Sequence, residues 1–359
     1  MKEIKQKKFK IDKKVLTYAA IILCALAIIL TAVLLITRTR YRYELNDAKD
    51  GYIISEYNGW AKNIKIPAKH RRLPVVSIGN HAFADSDKLR TVTLPAGIKT
   101  LEYGAFFGCD RLETVNFNQG LEQIGTDAFG ECVKITAITL PEGVKTVRSA
   151  AFNGCKGLKS VSLPKTIESI TYLAFMGCTE LNEITVADGA EHFYSKDNCL
   201  IKKDGEVLVI GTNKSVIPEG VESIAEGAFR DKIRLVSIVV PESVKHIGDS
   251  AFYGCTALRS VQLPGAKEIG TAAFHGCRLL NTLVVSGKLE RVNEGAFSSC
   301  AALDNIYTLG IAAEFNAVAI YDGNNDFRAA ALHIFSETKP TGEGSYWHYD
   351  SKGNPVIWQ

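Results

Sequence analysis

Apolar residues recur along most of this chain at fixed offsets instead of in long amphipathic runs. An Ala-Phe pair places Phe at 83, 106, 129, 152, 175, 229, 252, 274 and 297, in steps of 23 residues except for one of 54 and one of 22. Five residues before each Phe stands Ile, Leu or Val, as at Ile78, Leu101 and Ile124. Six after it stands Leu or Ile (Leu89, Leu112, Ile135), and nine after it Val, Ile or Leu (Val92, Val115, Ile138). One copy cannot cover its own apolar side chains, but stacked copies bury each column against the next. Within a copy, Leu-x-x-Val-x-Leu-Pro (Leu89 to Pro95, Leu158 to Pro164, Leu258 to Pro264) alternates with period two and predicts a short strand that Pro ends. The stretch Gly-x-x-Ala-Phe-x-Gly-Cys has helical or 3₁₀ spacing. Each coil is therefore expected to run strand, turn, short helical segment, turn, giving an α/β repeat solenoid.

The departures are informative. The 54-residue step is one 23-residue repeat plus 31 residues, inserted between about Ala187 and Val216. Inside it, two β-rich runs, 198–203 and 206–210, flank Asp204-Gly205, which predicts a hairpin. The insertion reads either as a packing excursion or as a binding loop on a rigid scaffold. Asn118, Ala187 and Ser286 replace the strand-ending Pro, and residues 307–333 lack the Ala-Phe pair, as a degraded repeat or a linker would.

The pattern I-G-x-x-A-F-x-G-C-x-x-L-x-x-V-x-L-P, seen at Ile247–Pro264, resembles the BspA-type (Treponema pallidum-like) leucine-rich repeat of bacterial surface proteins. Residues 51–74, with Tyr57-Asn58-Gly59 and Arg72-Leu73-Pro74-Val75, resemble that family's N-terminal capping hairpin. Tyr346-Trp347-His348-Tyr349, a turn at Lys352-Gly353-Asn354-Pro355, and Val356-Ile357-Trp358 resemble its C-terminal cap. The expected layout is a cap over 51–74, a leucine-rich-repeat solenoid over 75–310 with its insertion at about 187–216, and a degenerate repeat with the second cap over 311–359. The resemblance implies a cell-surface binding protein, used in adhesion, host or matrix contact, or contact between bacteria.

Ahead of the repeats, Val15–Ile36 carries no charged residue, and its 22 positions would span roughly 33 Å as a helix, close to the ~30 Å hydrocarbon layer of a bilayer. Seven lysines precede it within residues 1–14, and Arg38, Arg40 and Arg42 follow. The positive-inside bias places that basic tail in the cytoplasm and, past a linker over 37–50, the repeats outside. Tyr41 and Tyr43 would suit the far membrane interface. A cleaved signal peptide is the competing reading, but Ala25-Leu26-Ala27 lies inside the apolar run, and Leu23 before Cys24 does not suit a lipoprotein site.

Charge then changes the picture. Of 42 Lys+Arg and 39 Asp+Glu, residues 1–44 hold ten and three, leaving 32 and 36 in 45–359. The body is slightly acidic and shows no clustered basic footprint along the sequence, which argues against a nucleic-acid partner. Seven of the nine cysteines (Cys109, Cys132, Cys155, Cys178, Cys255, Cys277, Cys300) stand three residues after a repeat Phe, expected as a ladder of buried thiols. No CxxC pair, HExxH, phosphate loop or Gly-x-Ser-x-Gly is present, so neither a metal, a cofactor nor an enzyme is expected.

Surface is what remains. Residues eight and ten after each Phe should point away from the core: Thr91 and Thr93, Thr114 and Asn116, Thr139 beside Ala137, Ser160 and Ser162, Thr185 beside Glu183, Ser237 and Val239, Ser260 and Gln262, Thr282 and Val284, and Tyr307 beside Asn305. Side by side they would form a nine-rung face roughly 40 Å long for a protein or glycan ligand, with Val239, Val284 and Tyr307 as an apolar contact group. A tethered scaffold that organises other envelope proteins of the same cell is the alternative.

Overall fold

The computed structural model describes Tyr18, residues 21–27, 41–341 and 344–359. The expected membrane helix over 15–36 and the tail over 1–14 lie wholly or largely outside these residues; Tyr18 and residues 21–27 are helical. No helix among the described residues is long and apolar enough to cross a membrane.

The repeats stack as a leucine-rich-repeat β-solenoid of about 12 turns. Each regular coil lays down two strands. The strand foreseen eight to ten residues after Phe is present, as at Thr91–Thr93, Thr114–Asn116 and Ser160–Leu163. A second strand of two residues, as at Thr100–Leu101 and Gln123–Ile124, builds another parallel sheet. The repeat reading missed it because two residues carry no visible alternation. The Ala-Phe stretch is not the α component expected. It is a run of hydrogen-bonded turns, helical by 3₁₀ bonding only over Tyr172–Phe175. Its backbone forms a third ladder: Phe106 N–H donates to the Ala128 carbonyl at 2.7 Å, and Phe129 to Ala151 at 2.8 Å. Three ladders per coil leave little backbone unpaired in a buried stack.

The Phe rings form two columns. Tyr57 stacks on Phe83 at 4.8 Å, and the column runs through Phe106, Phe129 and Phe152 to Phe175. A second column runs from Phe229 to Phe297 and ends on Phe327 at 4.9 Å. Each of the seven repeat Cys Sγ atoms donates to the carbonyl of the Phe one coil back, from Cys109 to Phe83 at 3.1 Å through Cys300 to Phe274 at 3.2 Å. The ladder thiols are free and buried, and desolvation pushes Cys178 and Cys255 up to about 12. Thiols held protonated in this way are inert packing groups.

Between the columns sits the insertion. Cys199–Lys202 pairs antiparallel with Val207–Ile210, as the Asp-Gly signal foretold, and a further strand, Phe193–Lys196, precedes them across Asp197-Asn198. Both of those turn residues have positive φ, 49° and 61°. Val207–Ile210 then joins the short-strand sheet against Ser223–Ile224, so the insertion is a layer of the stack. Phe193 and Leu200 pack on the core before it, Cys199 and Ile201 on the core after it. Gly211 takes the Phe place: its N–H donates to Ala228, and a Cβ there would lie 2.1 Å from the Phe229 ring. Only glycine lets Phe229 close over this layer.

Two boundaries change. Tyr41–Leu45, inside the expected linker, pairs with Tyr52–Tyr57 and belongs to the N-terminal cap. Tyr41 and Tyr43 are therefore cap residues and not interface anchors; Tyr43 stacks on His70 at 4.0 Å. Residues 311–335 form one more coil: Ala319–Ile320 pairs with Arg291–Val292, and Ala331–Phe335 with Asn305–Thr308. At two of the sites that lack Pro, a side chain makes the turn. Asn118 Oδ1 accepts from Gly120 N–H at 2.7 Å and Ser286 Oγ from Lys288 N–H at 3.0 Å.

Candidate binding face

The long-strand sheet carries the candidate residues, but not as one unbroken face. It divides into sheets of three, three and seven strands. The first break separates Thr114–Asn116 from Ala137–Thr139. There Phe117 occupies the slot held by Leu94 and Leu140 in neighbouring coils and turns its ring edge-on to Phe129 at 5.9 Å. The long-strand pairing stops at this larger side chain. The insertion makes the second break, because only five residues lie between Gly211 and Ile217, and no long strand forms there. Asn213 bridges the junction instead. Its Nδ2 donates to the carbonyls of Thr179 (2.9 Å) and Leu181 (3.0 Å), and its Oδ1 accepts from Arg234 N–H at 3.1 Å.

In the N-terminal half the outward residues are open. Thr114, Asn116 and Thr139 are exposed, and Thr91, Thr93, Ser160, Ser162 and Thr185 partly so. They also order one another. Asn116 Nδ2 donates to Thr93 Oγ1 at 3.1 Å, and Thr185 Oγ1 to Ser162 Oγ at 3.1 Å. Side chains already held in place lose less entropy when a ligand arrives.

The C-terminal half corrects the expectation. Ser237 and Val239 are exposed, Val239 at 58%. Ser260, Gln262 and Thr282 are partly covered, while Val284 is 0% and Tyr307 8% exposed. The proposed apolar contact group does not exist as a surface, because the C-terminal hairpin covers two of its three members. Trp347 packs on Val284 and Tyr307, meets the Tyr307 ring at 5.5 Å, and donates its indole N–H to the Thr308 carbonyl at 3.0 Å. The hairpin turn reaches three coils back, where Gln262 Nε2 donates to the Gly353 carbonyl at 3.3 Å. His333 ties the same region down. Its Nε2 lies 2.8 Å from Asn305 Oδ1, its Nδ1 2.5 Å from Ser345 Oγ, and its ring stacks on Tyr307. Burial holds its pKa below the usual 6.5.

One buried charge escaped the sequence reading. Lys232 fills the Cys slot of the first coil after the insertion, 3% exposed, with Nζ donating to the Arg230 carbonyl at 3.2 Å. Desolvation lowers its pKa. Its place three residues after Phe229 was visible in the sequence; its burial was not. Among the described residues no group of three or more His, Cys, Asp or Glu could hold a metal ion.

Parallel coils, stacked Phe and Leu columns, and capping hairpins at both ends define a leucine-rich-repeat scaffold. The BspA type leucine rich repeat region, in six copies, matches residues 76–199 and 211–324, so the chain belongs to that family. A leucine-rich repeat protein from Eubacterium ventriosum is similar in fold, with TM-score 0.55 and 15% identity over 89% of this chain and 98% of that one. The pneumococcal vaccine antigen PcpA gives 0.54 and 18% over 83% and 92%. A leucine rich cell surface protein from Faecalibacterium prausnitzii is 25% identical over 79% and 97%, at a TM-score of 0.44. No curated protein is similar enough to count as a match.

Proposed function

We propose that this chain is a membrane-anchored binding protein whose repeats, held outside the cell, contact a protein or glycan on a cell or matrix surface. Leucine-rich-repeat proteins are generally binding scaffolds, and the strand faces of this one offer an extended surface. One observation carries the reading: from Thr91 to Thr185 every outward strand residue keeps some exposure, with Asn116 bonded to Thr93 and Thr185 to Ser162, while Val284 and Tyr307 near the other end are buried under the chain's own cap. The anchor is residues 15–36, with the N-terminus cytoplasmic, supported by the uncharged run and its lysine flank.

The test is binding of the full chain to a panel of matrix proteins and host and bacterial cells, beside the variant Asn116→Tyr with Thr139→Tyr. Tyr suits an exposed strand yet blocks the face without adding charge. Saturable binding lost in the variant is expected. Membrane partners that co-purify from the native cell, with no binding to foreign surfaces, would overturn adhesion in favour of the same-cell scaffold.

A further inference from the structure

Stacking gathers charges that the sequence scatters. At the corner leading into each long strand, coils bring equivalent residues together about 4.8 Å apart. The N-terminal cap sets the first rung: the Lys62 carbonyl accepts from Arg90 N–H and Thr91 N–H, as the Arg90 carbonyl does from Glu113 and Thr114. In the following coils the corner residues are 87–90, 110–113, 133–136 and 156–159. They carry a run of exposed cations.

Two of these cations are neutralised locally: Lys88 by Asp87 at 3.5 Å and Arg90 by Glu113 at 3.2 Å. Lys62, Arg111, Lys134, Lys156 and Lys159 are exposed and make no ion pair among the described residues, against one unpaired acid, Asp110. At the head of this line, between Tyr57 of the Phe column and Lys62, stands Trp60, 76% exposed and the most exposed large apolar side chain described. The corresponding corner beyond the insertion interrupts its exposed cations, Arg259 and Arg278, with exposed Ile233, Val236 and Leu279. The absence of a basic footprint along the sequence is thus reversed locally by the fold.

We infer that this corner is a binding site for a linear anionic polysaccharide, one bearing sulfate or carboxylate groups along its length. The free cations recur in four of five successive coils along one corner, which fits an extended chain with spaced charges. Duplex DNA, with a charge every ~1.7 Å, calls for a broader basic surface. Binding of single-stranded nucleic acid draws on several aromatic platforms, where this line has one exposed Trp. Four of the five free cations are Lys, a point charge suited to sulfate or carboxylate without the paired geometry Arg gives phosphate. Trp60 supplies a flat apolar surface for the C–H face of a terminal sugar ring. The outward placement proposed above says where such a ligand would be met, but the binding does not depend on it.

The experiment titrates the full chain, in detergent, with heparin oligosaccharides, neutral dextran and single-stranded DNA. Saturable heparin binding is expected that weakens with added salt and is at least tenfold weaker in Lys134→Glu with Lys156→Glu. The milder pair Lys134→Gln with Lys156→Gln should lose several-fold, which guards against misfolding. The same charge change elsewhere, Lys196→Glu with Lys214→Glu, should leave affinity unchanged, as should the strand-face variant Asn116→Tyr with Thr139→Tyr. Heparin should also shift the tryptophan emission of the parent chain but not of Trp60→Ala. Unchanged affinity in a folded corner variant, equal loss in the Lys196 and Lys214 control, or tighter binding of DNA would each overturn the inference. Failure of the strand-face proposal alone would leave heparin binding intact.

Discussion

The two ends of the long-strand face are built by one repeat and finish differently. Ten residues after Phe, the N-terminal coils present Thr93, Asn116, Thr139, Ser162 and Thr185; the C-terminal coils present Val239, Gln262, Val284 and Tyr307. The polar set stays open. Of the apolar set, Val284 and Tyr307 lie under Trp347. An apolar residue on an otherwise polar strand face is a demand for cover, and here the chain itself meets most of that demand. Hydrophobic content therefore marked the closed end of this face, and hydroxyls and amides marked the end free for a ligand.

Cutting into the column that supports the open end should have the largest effect. Phe152→Ala in mid-column is expected to cost about 3–5 kcal/mol in denaturant unfolding; a loss under about 1 kcal/mol would mean the Phe stack is not the core. At the closed end, Trp347→Ala should cost about 3 kcal/mol, felt mainly in the last coils because repeats unfold locally. Dye binding at uncovered Val284 and Tyr307, with faster amide exchange over 283–285 and unchanged exchange near Phe152, would show it.

The junction between the ends should respond in the opposite direction. Lys232→Met removes a buried charge with a single carbonyl partner, for an expected gain of about 1–3 kcal/mol. The folded lysine has a pKa below its ordinary 10.5, so below the folded value the native state carries the full cost of the charge. That cost fades as pH rises toward 10.5, and the advantage of Met over Lys should fade with it. Acid should loosen the closed end through His333. Folded His333 titrates below 6.5, so its contribution is complete above 6.5 and is lost as pH falls through the folded value. Asn305, Ser345 and Tyr307 are the groups around its ring, and none carries a charge in that range. Protection of the Ile334 amide, referenced to its intrinsic exchange rate at each pH, should fall on acidification in the parent chain and hold in His333→Gln. The smallest effect belongs to the open face, where Asn116→Tyr with Thr139→Tyr should move stability by no more than about 0.5 kcal/mol while abolishing ligand binding.

Much of this was legible because the columns are periodic. Phe, Leu and Cys recur at fixed offsets, and a solenoid turns fixed offsets into contacts, so the core and the thiol ladder could be named residue by residue. The Asp204-Gly205 hairpin was readable from local turn chemistry. The two-residue strands were not, since they take their bonds from coils 22 or 23 residues away. The cover over Val284 was also hidden: Trp347 lies 63 positions further on, and no local pattern tells where a terminal hairpin will fold. Nor could the basic line be seen, because its members are spread over nearly a hundred residues among acids.

By itself, the sequence determined the repeat, its buried columns, the place of the insertion and the aromatic caps, since each follows from nearest-neighbour stacking of near-identical coils. Only the tertiary structure decided which outward residues remain outward. That depends on where a cap lies, where the long-strand pairing stops, and which side chains of successive coils share a corner. These are distances between residues remote in sequence, and a period does not encode them.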